Sequence, residues 1–305
     1  MDRYARHSVL PWFGSGGQQR LGRSCVLVVG CGGTGCACSS FIVRAGIGKV
    51  RILDPDIVGL TDLNRQLLFD EDDAERGRPK AETAAERLRA ANSTVRVEAL
   101  KERFDSSSAA GLIEGVDLLI DCSDNFETRM LINEVCLEHS TPWVHGACVG
   151  TAGIVIPFPG GEAACYRCIV DHIPAPGSVP TNEEAGILGP VAGITGSLEA
   201  AEAIRMLLRP ETLTQRIVHF DTWSSLFESI EVGKKPDCPA CVGRRFEYLP
   251  GRGKGRDACL GADVPNRRTY ERGRGLLPRR LVPEGGRTRS HRHNRQDVGG
   301  RVRVL

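Results

Sequence analysis

A glycine-rich turn between an apolar strand and a helix constrains the fold of this chain more than any other feature. Residues 25–56 read CVLVVGCGGTGCACSSFIVRAGIGKVRILDPD, in which Gly30, Gly32 and Gly35 fit the spacing G-x-G-x-x-G. Glycine permits a tight turn and lets the backbone approach a phosphate, while the N–H groups of the following helix point at it. Asp54 ends the second strand pattern, 24 residues after Gly30, where a carboxylate can accept hydrogen bonds from ribose hydroxyls. The stretch therefore predicts a nucleotide-binding unit.

Apolar strand patterns alternate with helical patterns in the first half of the chain, which is typical of a Rossmann-like, doubly wound, mostly parallel α/β sheet. Two later strand patterns predict additional C-terminal strands. Residues 171–190 are rich in Pro and Gly and predict a long loop before a helix over 191–209. The predicted strands are 24–29, 50–53, 95–100, 117–121, 143–146, 150–157 and 216–221, and the other predicted helices are 35–45, 80–91, 107–114 and 125–138.

The charge distribution separates a body from a tail. Residues 250–305 carry 15 Lys and Arg against 5 Asp and Glu, a charge of +10, whereas the remaining residues carry 25 against 33, a charge of −8. We expect an N-terminal arm (1–20), a nucleotide-binding half (21–150), a second half of the same domain (151–249) and a disordered tail (250–305). A tail that binds nucleic acid and a shifted reading frame are open alternatives.

Four of the twelve cysteines form two C-x-x-C pairs, Cys165/Cys168 and Cys238/Cys241. No run of 18 apolar residues and no signal-peptide pattern occurs, so we expect a cytoplasmic protein without a membrane partner, whose thiols stay reduced. Two such pairs, about 70 residues apart, predict a four-thiolate Zn²⁺ site. A redox-active pair is the alternative, although such a pair is usually single. The other eight cysteines are expected to be small core residues.

Charged side chains follow the predicted strands and converge, we expect, on the glycine-rich turn. Arg65 follows the second strand, Lys80 begins a helix, and Asp124 follows the fourth strand. The carboxyl ends of parallel strands meet at one edge of a sheet. Arg supplies a planar fork for phosphate, Lys a point charge, and Asp a ligand for Mg²⁺. The set predicts a triphosphate site for ATP and Mg²⁺, with Asn64 and Asn125 beside it.

Each of these residues also has a simpler interpretation. Arg65 fits a solvated surface charge, Lys80 a first-turn helix residue, and Asp124 the N-cap of the helix that begins at Asn125. On the glycine motif alone, a generic NAD- or FAD-binding fold is an equal alternative. Gly33 removes a further side chain beside the phosphates, which suits a bulkier polyphosphate. The charged residues taken together disfavour an NAD-dependent oxidoreductase.

The motifs and their order resemble the MoeB/ThiF/HesA family of ubiquitin-activating-like adenylyltransferases. The matching stretches are RYARH, VVGCGGTG, LDPD, LTDLNRQ, GRPKAE, DCSDNFETR, CYRC, EAGILGPVAGITGSLEAAEAIRMLL and CPAC. The resemblance makes residues 21–150 the ATP-binding half and residues 151–249 the carrier- and zinc-binding half of one domain. The resemblance implies a homodimer that uses ATP and Mg²⁺ to adenylate the C-terminal glycine of a small β-grasp, ubiquitin-like sulfur carrier ending in Gly-Gly. It also implies a separate sulfur donor, a rhodanese or a cysteine desulfurase, that then forms a thiocarboxylate on the carrier.

The family's functional residues can be carried over by position. The resemblance places Gly33 against the nucleotide and Asp54 on the ribose, and it makes the paired cysteines zinc ligands. It implies that Arg65 and Lys80 contact the phosphates, and that Arg6 reaches the triphosphate of the other protomer. Its predicted catalytic residues are Arg65, Lys80, Asp124 (the Mg²⁺ ligand) and Arg6, and its predicted nucleotide-binding residues are Gly30, Gly32, Gly33, Gly35, Asp54, Asn64, Arg65, Lys80, Asp124 and Asn125.

Two positions that bear on the chemistry depart from the family pattern. Asn182 stands where some members carry a loop cysteine, so we expect adenylation without a covalent cysteine relay, and Cys148 is a weak substitute. Asp62 replaces a usual Asn beside Arg65, and its carboxylate is expected to repel a triphosphate unless a cation offsets it. A non-catalytic nucleotide-binding partner protein of a sulfur-carrier system is therefore the second hypothesis.

Overall fold

The described residues form one eight-stranded sheet. The computed structural model describes residues 3–175, 178, 182–210 and 214–249, all within one compact unit. The strands are β1 (Cys25–Val29), β2 (Lys49–Leu53), β3 (Arg96–Leu100), β4 (Leu118–Asp121), β5 (Trp143–Val149), β6 (Ala152–Phe158), β7 (Arg216–Asp221) and β8 (Leu226–Glu231). Their order is β3-β2-β1-β4-β5-β6-β7-β8; the first five are parallel, and β6, β7 and β8 are antiparallel additions.

The chain winds outward from β1 in both directions, which confirms the predicted doubly wound, mostly parallel class. Because side chains alternate along a strand, Val26 and Val28 pack in one core layer while Leu27 and Val29 pack in the other. The central strands are buried on both faces, and their sequences are correspondingly continuous in apolar residues. The sequence did not predict β8, whose side chains are nearly all exposed and follow no apolar alternation.

Helices cover both faces of the sheet. Among the described helices, none is long and apolar enough to cross a membrane. The helices and helical turns are α1 (Ala5–Ser8), α2 (Gly14–Leu21), α3 (Gly33–Ala45), a 3₁₀ turn (Leu60–Asp62), α4 (Glu71–Glu75), α5 (Lys80–Ala91), α6 (Ala109–Ile113), α7 (Phe126–His139), α8 (Tyr166–Ile169), α9 (Asn182–Ala185) and α10 (Gly189–Leu208).

Two of the sequence-based expectations about helices need correction. The segment predicted as an arm, 1–20, contains α1 and most of α2, which the sequence analysis did not specify. The loop expected over 171–190 contains α9 and ends at Gly189, where α10 begins, because Pro190 is suited to the first turn of a helix. Helix α3 begins two residues early, since extended Gly32 serves as its N-cap. The tail predicted for 250–305 lies outside the described residues.

A buried carboxylate on α7 fastens the last described segment to the body. Glu134 is only 2% exposed. Its Oε1 accepts the backbone N–H of Glu247 at 2.8 Å, and its Oε2 accepts those of Tyr248 at 2.7 Å and Leu249 at 2.9 Å. Burial raises the pKa of Glu134, and the three N–H donors oppose that rise because they favour the charged form.

We expect Glu134→Gln to lower the free energy of unfolding by about 2 kcal/mol, because in either orientation the amide NH₂ faces at least one backbone N–H that it cannot accept. Urea denaturation measures this. Glu138→Gln is the matched control on the same helix, since Glu138 forms a partly exposed ion pair with Arg244 at 3.2 Å and should cost less than about 1 kcal/mol. Equal losses in the two variants would contradict a specific role for Glu134.

Candidate active site and zinc cluster

The glycines of the turn after β1 have separate structural roles. Gly30 has φ +95°, a conformation that favours glycine, and a Cβ there would lie 2.6 Å from the carbonyl oxygen of Cys122. A Cβ at Gly35 would overlap the carbonyl oxygen of Gly30, so this glycine lets α3 pack directly on the turn. Gly32 faces open space, with the nearest atom, Nε2 of Gln66, at 4.0 Å from its Cβ position. The turn is therefore closely packed at Gly30 and Gly35 and open to a ligand at Gly32.

Asp54, the predicted ribose ligand, fixes this turn from the end of β2. Its Oδ2 accepts the N–H of Cys31 at 2.7 Å and its Oδ1 accepts the N–H of Asp56 at 2.8 Å. Burial raises the pKa of Asp54, opposed by these two hydrogen bonds and by the charge of Lys80. Each carboxylate oxygen keeps a second lone pair, so the side chain can hold the turn and still accept a ribose hydroxyl.

Arg65 and Lys80 are brought together by Asp62, the residue that departs from the family pattern. Arg65 Nη2 lies 3.3 Å from Asp62 Oδ1, and Lys80 Nζ lies 3.2 Å from Asp62 Oδ2. Gln66 Nε2 donates to the same Oδ1 at 2.8 Å. Asp62 is thus paired with both predicted phosphate ligands, and its single negative charge offsets part of their positive charge. The sequence analysis missed this bridge and missed Gln66, although the i,i+4 spacing from Asp62 was a signal for it.

Arg65 lies beside the glycine-rich turn, and Lys80 lies near Asp54, the carboxylate that holds this turn. A Cβ at Gly33 would lie 3.4 Å from Cγ of Arg65 and 2.8 Å from Cβ of Ala192 on α10, so Gly33 is the residue that lets these elements approach the start of α3. Asn64 Oδ1 accepts a hydrogen bond from Arg65 Nη1 at 3.1 Å. The site thus contains a helix N-terminus, a guanidinium and an ammonium, all of which attract phosphate.

The turn after β4 carries the predicted Mg²⁺ ligand. Asp124 is exposed, and its Oδ1 accepts a hydrogen bond from Asn125 Nδ2 at 3.3 Å. The N-cap of α7 is Asn125, whose Oδ1 accepts the N–H of Thr128 at 2.8 Å; the capping role proposed for Asp124 was wrong. An exposed carboxylate that is not used as a cap has the oxygen donor chemistry that Mg²⁺ prefers.

Other predicted residues lie apart from these contacts. Arg6 is exposed on α1, so its action on a second protomer stays a prediction. Cys148 lies inside β5 rather than after it, and burial raises the pKa of its thiol to about 11, which keeps it protonated near neutral pH. Asn182 is exposed at the start of α9.

The four paired cysteines form a compact cluster that fits a zinc ion. The Sγ–Sγ separations are 4.0 Å for Cys165–Cys168, 3.6 Å for Cys165–Cys238 and 3.6 Å for Cys168–Cys241, and all four sulfurs lie within 4.8 Å of one another. Zn–S bonds of about 2.3 Å give tetrahedral edges of about 3.8 Å. The N–H of Lys235 donates to Cys168 Sγ at 3.4 Å, which is the kind of second contact that orients a thiolate.

Comparison with known proteins places the chain in a family. The ThiF family profile matches residues 4–240. The chain belongs to the ThiF family. A sulfur carrier protein adenylyltransferase from Thermus thermophilus is 39% identical over 247 residues, 79% of this chain and 90% of that protein. A SAMP-activating enzyme E1 from Haloferax volcanii is 38% identical over 245 residues, 79% and 88% of the two chains.

The fold of this ThiF-family chain also resembles a solved structure. A crystal structure of E. coli MccB with ATP matches it with a TM-score of 0.68 and 23% sequence identity, over 79% of this chain and 74% of that chain. At this identity the likeness shows the fold alone. The resemblance inferred from the motifs is confirmed by the family match and by the curated relatives.

We expect Asp62→Asn to raise the affinity of this ThiF-family protein for ATP about tenfold, because it removes a negative charge from beside the two cations. Calorimetric titration with ATP and Mg²⁺ measures the change. Asp56→Asn is the control, since the Asp56 carboxylate is exposed and lies 3.9 Å from the same Lys80 Nζ, and it should change the affinity less than about twofold. An unchanged or lower affinity in Asp62→Asn would contradict the inferred competition.

Zinc binding is tested by metal content. We expect about one Zn²⁺ per chain, and we expect Cys241→Ser to lose it to a moderate chelator because an alcohol replaces a thiolate ligand. Elemental analysis after chelator dialysis measures this. Cys25→Ser, at the start of β1 and outside the cluster, should keep the metal; loss in both variants, or in neither, would argue against a four-thiolate site.

Proposed function

We propose that this chain adenylates the C-terminal glycine carboxylate of a small β-grasp, ubiquitin-like sulfur carrier that ends in Gly-Gly, with ATP as the second substrate. The observation that carries the proposal is the convergence of Arg65 and Lys80 on Asp62, beside Gly33 at the start of α3. A dinucleotide enzyme needs no such pair, since a pyrophosphate can sit on the helix N-terminus alone. The adenylyltransferase names of the relatives support the same activity.

The reaction asks little covalent chemistry of the protein. The carrier carboxylate is already a nucleophile near neutral pH; its oxygen forms a bond to the α-phosphorus while the bond to the pyrophosphate oxygen breaks, and that oxygen keeps the electron pair. The products are an acyl-adenylate and pyrophosphate. Arg65 and Lys80 would neutralise the departing phosphates, and the N-terminus of α3 would hold them in line. Mg²⁺, which Asp124 would hold, supplies further neutralisation of the phosphate charge.

The remaining parts of the proposal concern assembly and the sulfur step. We propose a homodimer in which Arg6 of the partner subunit approaches the triphosphate, and a cytoplasmic setting in which the zinc thiolates stay reduced. Asn182 supplies no thiol, and burial raises the pKa of Cys148 to about 11. We therefore propose that a persulfide on a separate sulfur donor, a rhodanese or a cysteine desulfurase, attacks the acyl carbon of the acyl-adenylate, and that AMP leaves with the electron pair of the broken bond.

A second candidate is a non-catalytic nucleotide-binding partner protein of a sulfur-carrier system. The bridge made by Asp62 favours it, because a carboxylate between Arg65 and Lys80 competes with phosphate for both charges. This candidate predicts no pyrophosphate exchange in the native protein and a gain in ATP affinity of more than about a hundredfold in Asp62→Asn. An NAD-dependent oxidoreductase is a third and less favoured candidate, and it would return if the protein bound NADH and not ATP.

We expect ATP–pyrophosphate exchange that depends on a Gly-Gly-ended carrier from the same genome. Lys80→Ala and Arg65→Ala should each lower the exchange rate about 10²–10³-fold, because each removes a charge from the developing pyrophosphate. Zinc content and thermal unfolding show whether the variants are folded.

Lys49→Ala is the matched control. Lys49 begins β2, so it lies at the opposite end of the parallel strands from the glycine-rich turn, and it pairs with Glu98 at 3.0 Å. It should keep the native exchange rate. Carrier-independent exchange, or no exchange with any carrier by folded, zinc-loaded protein, would overturn the proposed adenylation.

A further inference from the structure

A fully buried Asp–His pair lies directly behind the turn that carries Asp124. Asp121 ends β4 and His145 lies in the neighbouring strand β5, where the two residues are register partners. His145 Nδ1 and Asp121 Oδ2 are 2.8 Å apart, and both side chains have 0% exposure. Burying two such polar groups is costly unless each serves the other. The pair is not among the residues that the proposed reaction uses.

The chemistry of the pair fixes the tautomer of the ring. Burial lowers the pKa of His145 despite the opposing carboxylate, and the nearby Arg129 lowers it further, so the imidazole is neutral near pH 7. Burial would raise the pKa of Asp121, but the hydrogen bond from His145 and the charge of Arg129 outweigh it and the pKa lies below its ordinary value. An ionised carboxylate only accepts, so Nδ1 of His145 carries the proton and donates it to Asp121.

A residue next to the cysteine cluster also packs on the His145 ring. Tyr166 directly follows Cys165 in the chain, and its ring makes an edge-to-face contact with His145 with centroids 5.3 Å apart. The Tyr166 N–H donates to Asn133 Oδ1 on α7 at 2.8 Å. Among the described residues, His145 Nε2 has no hydrogen-bond partner, so the contact with Asp121 is the hydrogen bond that orients the ring.

Asp121 transmits this orientation to the Asp124 turn. Its Oδ1 accepts both the backbone N–H of Ser123 at 3.0 Å and the Ser123 hydroxyl at 2.6 Å. Arg129 Nη2 donates to the carbonyl of Ser123 at 3.2 Å. Asp124 comes next, and Asn125 then caps α7. The exposed Asp124 therefore sits on a turn whose backbone is fixed from below by one carboxylate, and His145 fixes that carboxylate.

We propose that His145 is a positioning residue for the adenylation site: its Nδ1–H holds Asp121 so that the Ser123–Asn125 turn presents the Asp124 carboxylate to the Mg²⁺ of the nucleotide. The inference rests on the proposed function and adds a residue from a different strand to it. A buried histidine can be purely structural or can position another group. Substituting a purely structural histidine changes only the free energy of unfolding, whereas substituting a positioning histidine also changes the concentration of Mg²⁺ that the reaction needs.

Two amide substitutions distinguish the roles of the two ring nitrogens of His145. In His145→Asn the side-chain NH₂ takes the place of Nδ1–H and can still donate to Asp121; in His145→Gln it takes the place of Nε2 and cannot. We expect the half-saturating Mg²⁺ concentration for carrier-dependent ATP–pyrophosphate exchange to rise about tenfold in His145→Gln and less than about threefold in His145→Asn. The KM for the carrier should stay unchanged in both variants.

Hydrogen–deuterium exchange supplies a readout that needs no activity. Amides of residues 122–126 should lose protection in His145→Gln and keep it in His145→Asn. His219→Gln is the control, since His219 is a partly exposed histidine on β7 that faces Glu228 at 3.4 Å, and it should alter neither readout. If His145→Gln does not fold, Ser123→Ala removes the hydroxyl contact to Asp121 instead and should raise the half-saturating Mg²⁺ about threefold.

The outcomes distinguish this inference from the proposed function. Equal Mg²⁺ dependence in the native protein, His145→Asn and His145→Gln, or equal losses in the two variants, overturns the positioning role while exchange by the native protein upholds adenylation. No exchange by the native protein overturns adenylation. In that case, unchanged exchange protection of the 122–126 amides in His145→Gln overturns the positioning role as well. Lost protection of these amides supports the inference that His145 fixes the turn.

Discussion

The close backbone contact between the first turn of α3 and the end of β1 is the constraint on which the rest of the structure depends. A side chain at Gly35 would overlap the carbonyl oxygen of Gly30, and one at Gly30 would press on the carbonyl of Cys122 after β4. Because both positions are glycine, the first turn of α3 can pack directly on the end of β1. The N-terminus of α3 then lies where the strand order reverses between β1 and β4. A ligand crevice at that point is a property of doubly wound sheets, and α10 closes over the same turn, since a Cβ at Gly196 would overlap the carbonyl of Thr34.

The electrostatics of the site follow from that geometry. Arg65 lies beside the N-terminus of α3, and Lys80 shares the Asp62 carboxylate with it, so three positive features lie near one another. Asp62 offsets two of them through contacts of 3.3 and 3.2 Å, and Asp54 uses its oxygens to hold the backbone of the turn. The Asp62 carboxylate, which offsets these charges, would compete with phosphate for Arg65 and Lys80. The departure at Asp62 thus places a carboxylate in contact with both predicted phosphate ligands.

Local patterns were predictable from the sequence, and long-range pairings were not. The glycine spacing, the apolar runs of the individual strands and the two C-x-x-C pairs are patterns of a few residues each. Their structural consequences can therefore be inferred directly. The bridge from Asp62 to Lys80 spans 18 positions and the Asp121–His145 pair spans 24, and each depends on which strands and loops become neighbours. The choice of Asn125 over Asp124 as N-cap depends on a one-residue difference in where α7 begins, which composition does not resolve. Strand β8 was missed because an exposed edge strand carries little apolar pattern.

The zinc cluster lies away from the glycine-rich turn, yet it acts on the elements that build the site. The two cysteine pairs enclose about 70 residues, and that segment contains α10, the helix that packs on α3 beside Ala192 and Gly33. Closing such a segment removes conformational freedom from the unfolded chain, and the gain grows with its length. The same cluster places Tyr166 against His145, while Glu134 fastens the residues that follow the second pair to α7. A zinc ion bound by these cysteines would thus hold both the helix that packs beside Gly33 and the histidine behind the Asp124 turn, and we expect its removal to affect these two elements before the sheet unfolds.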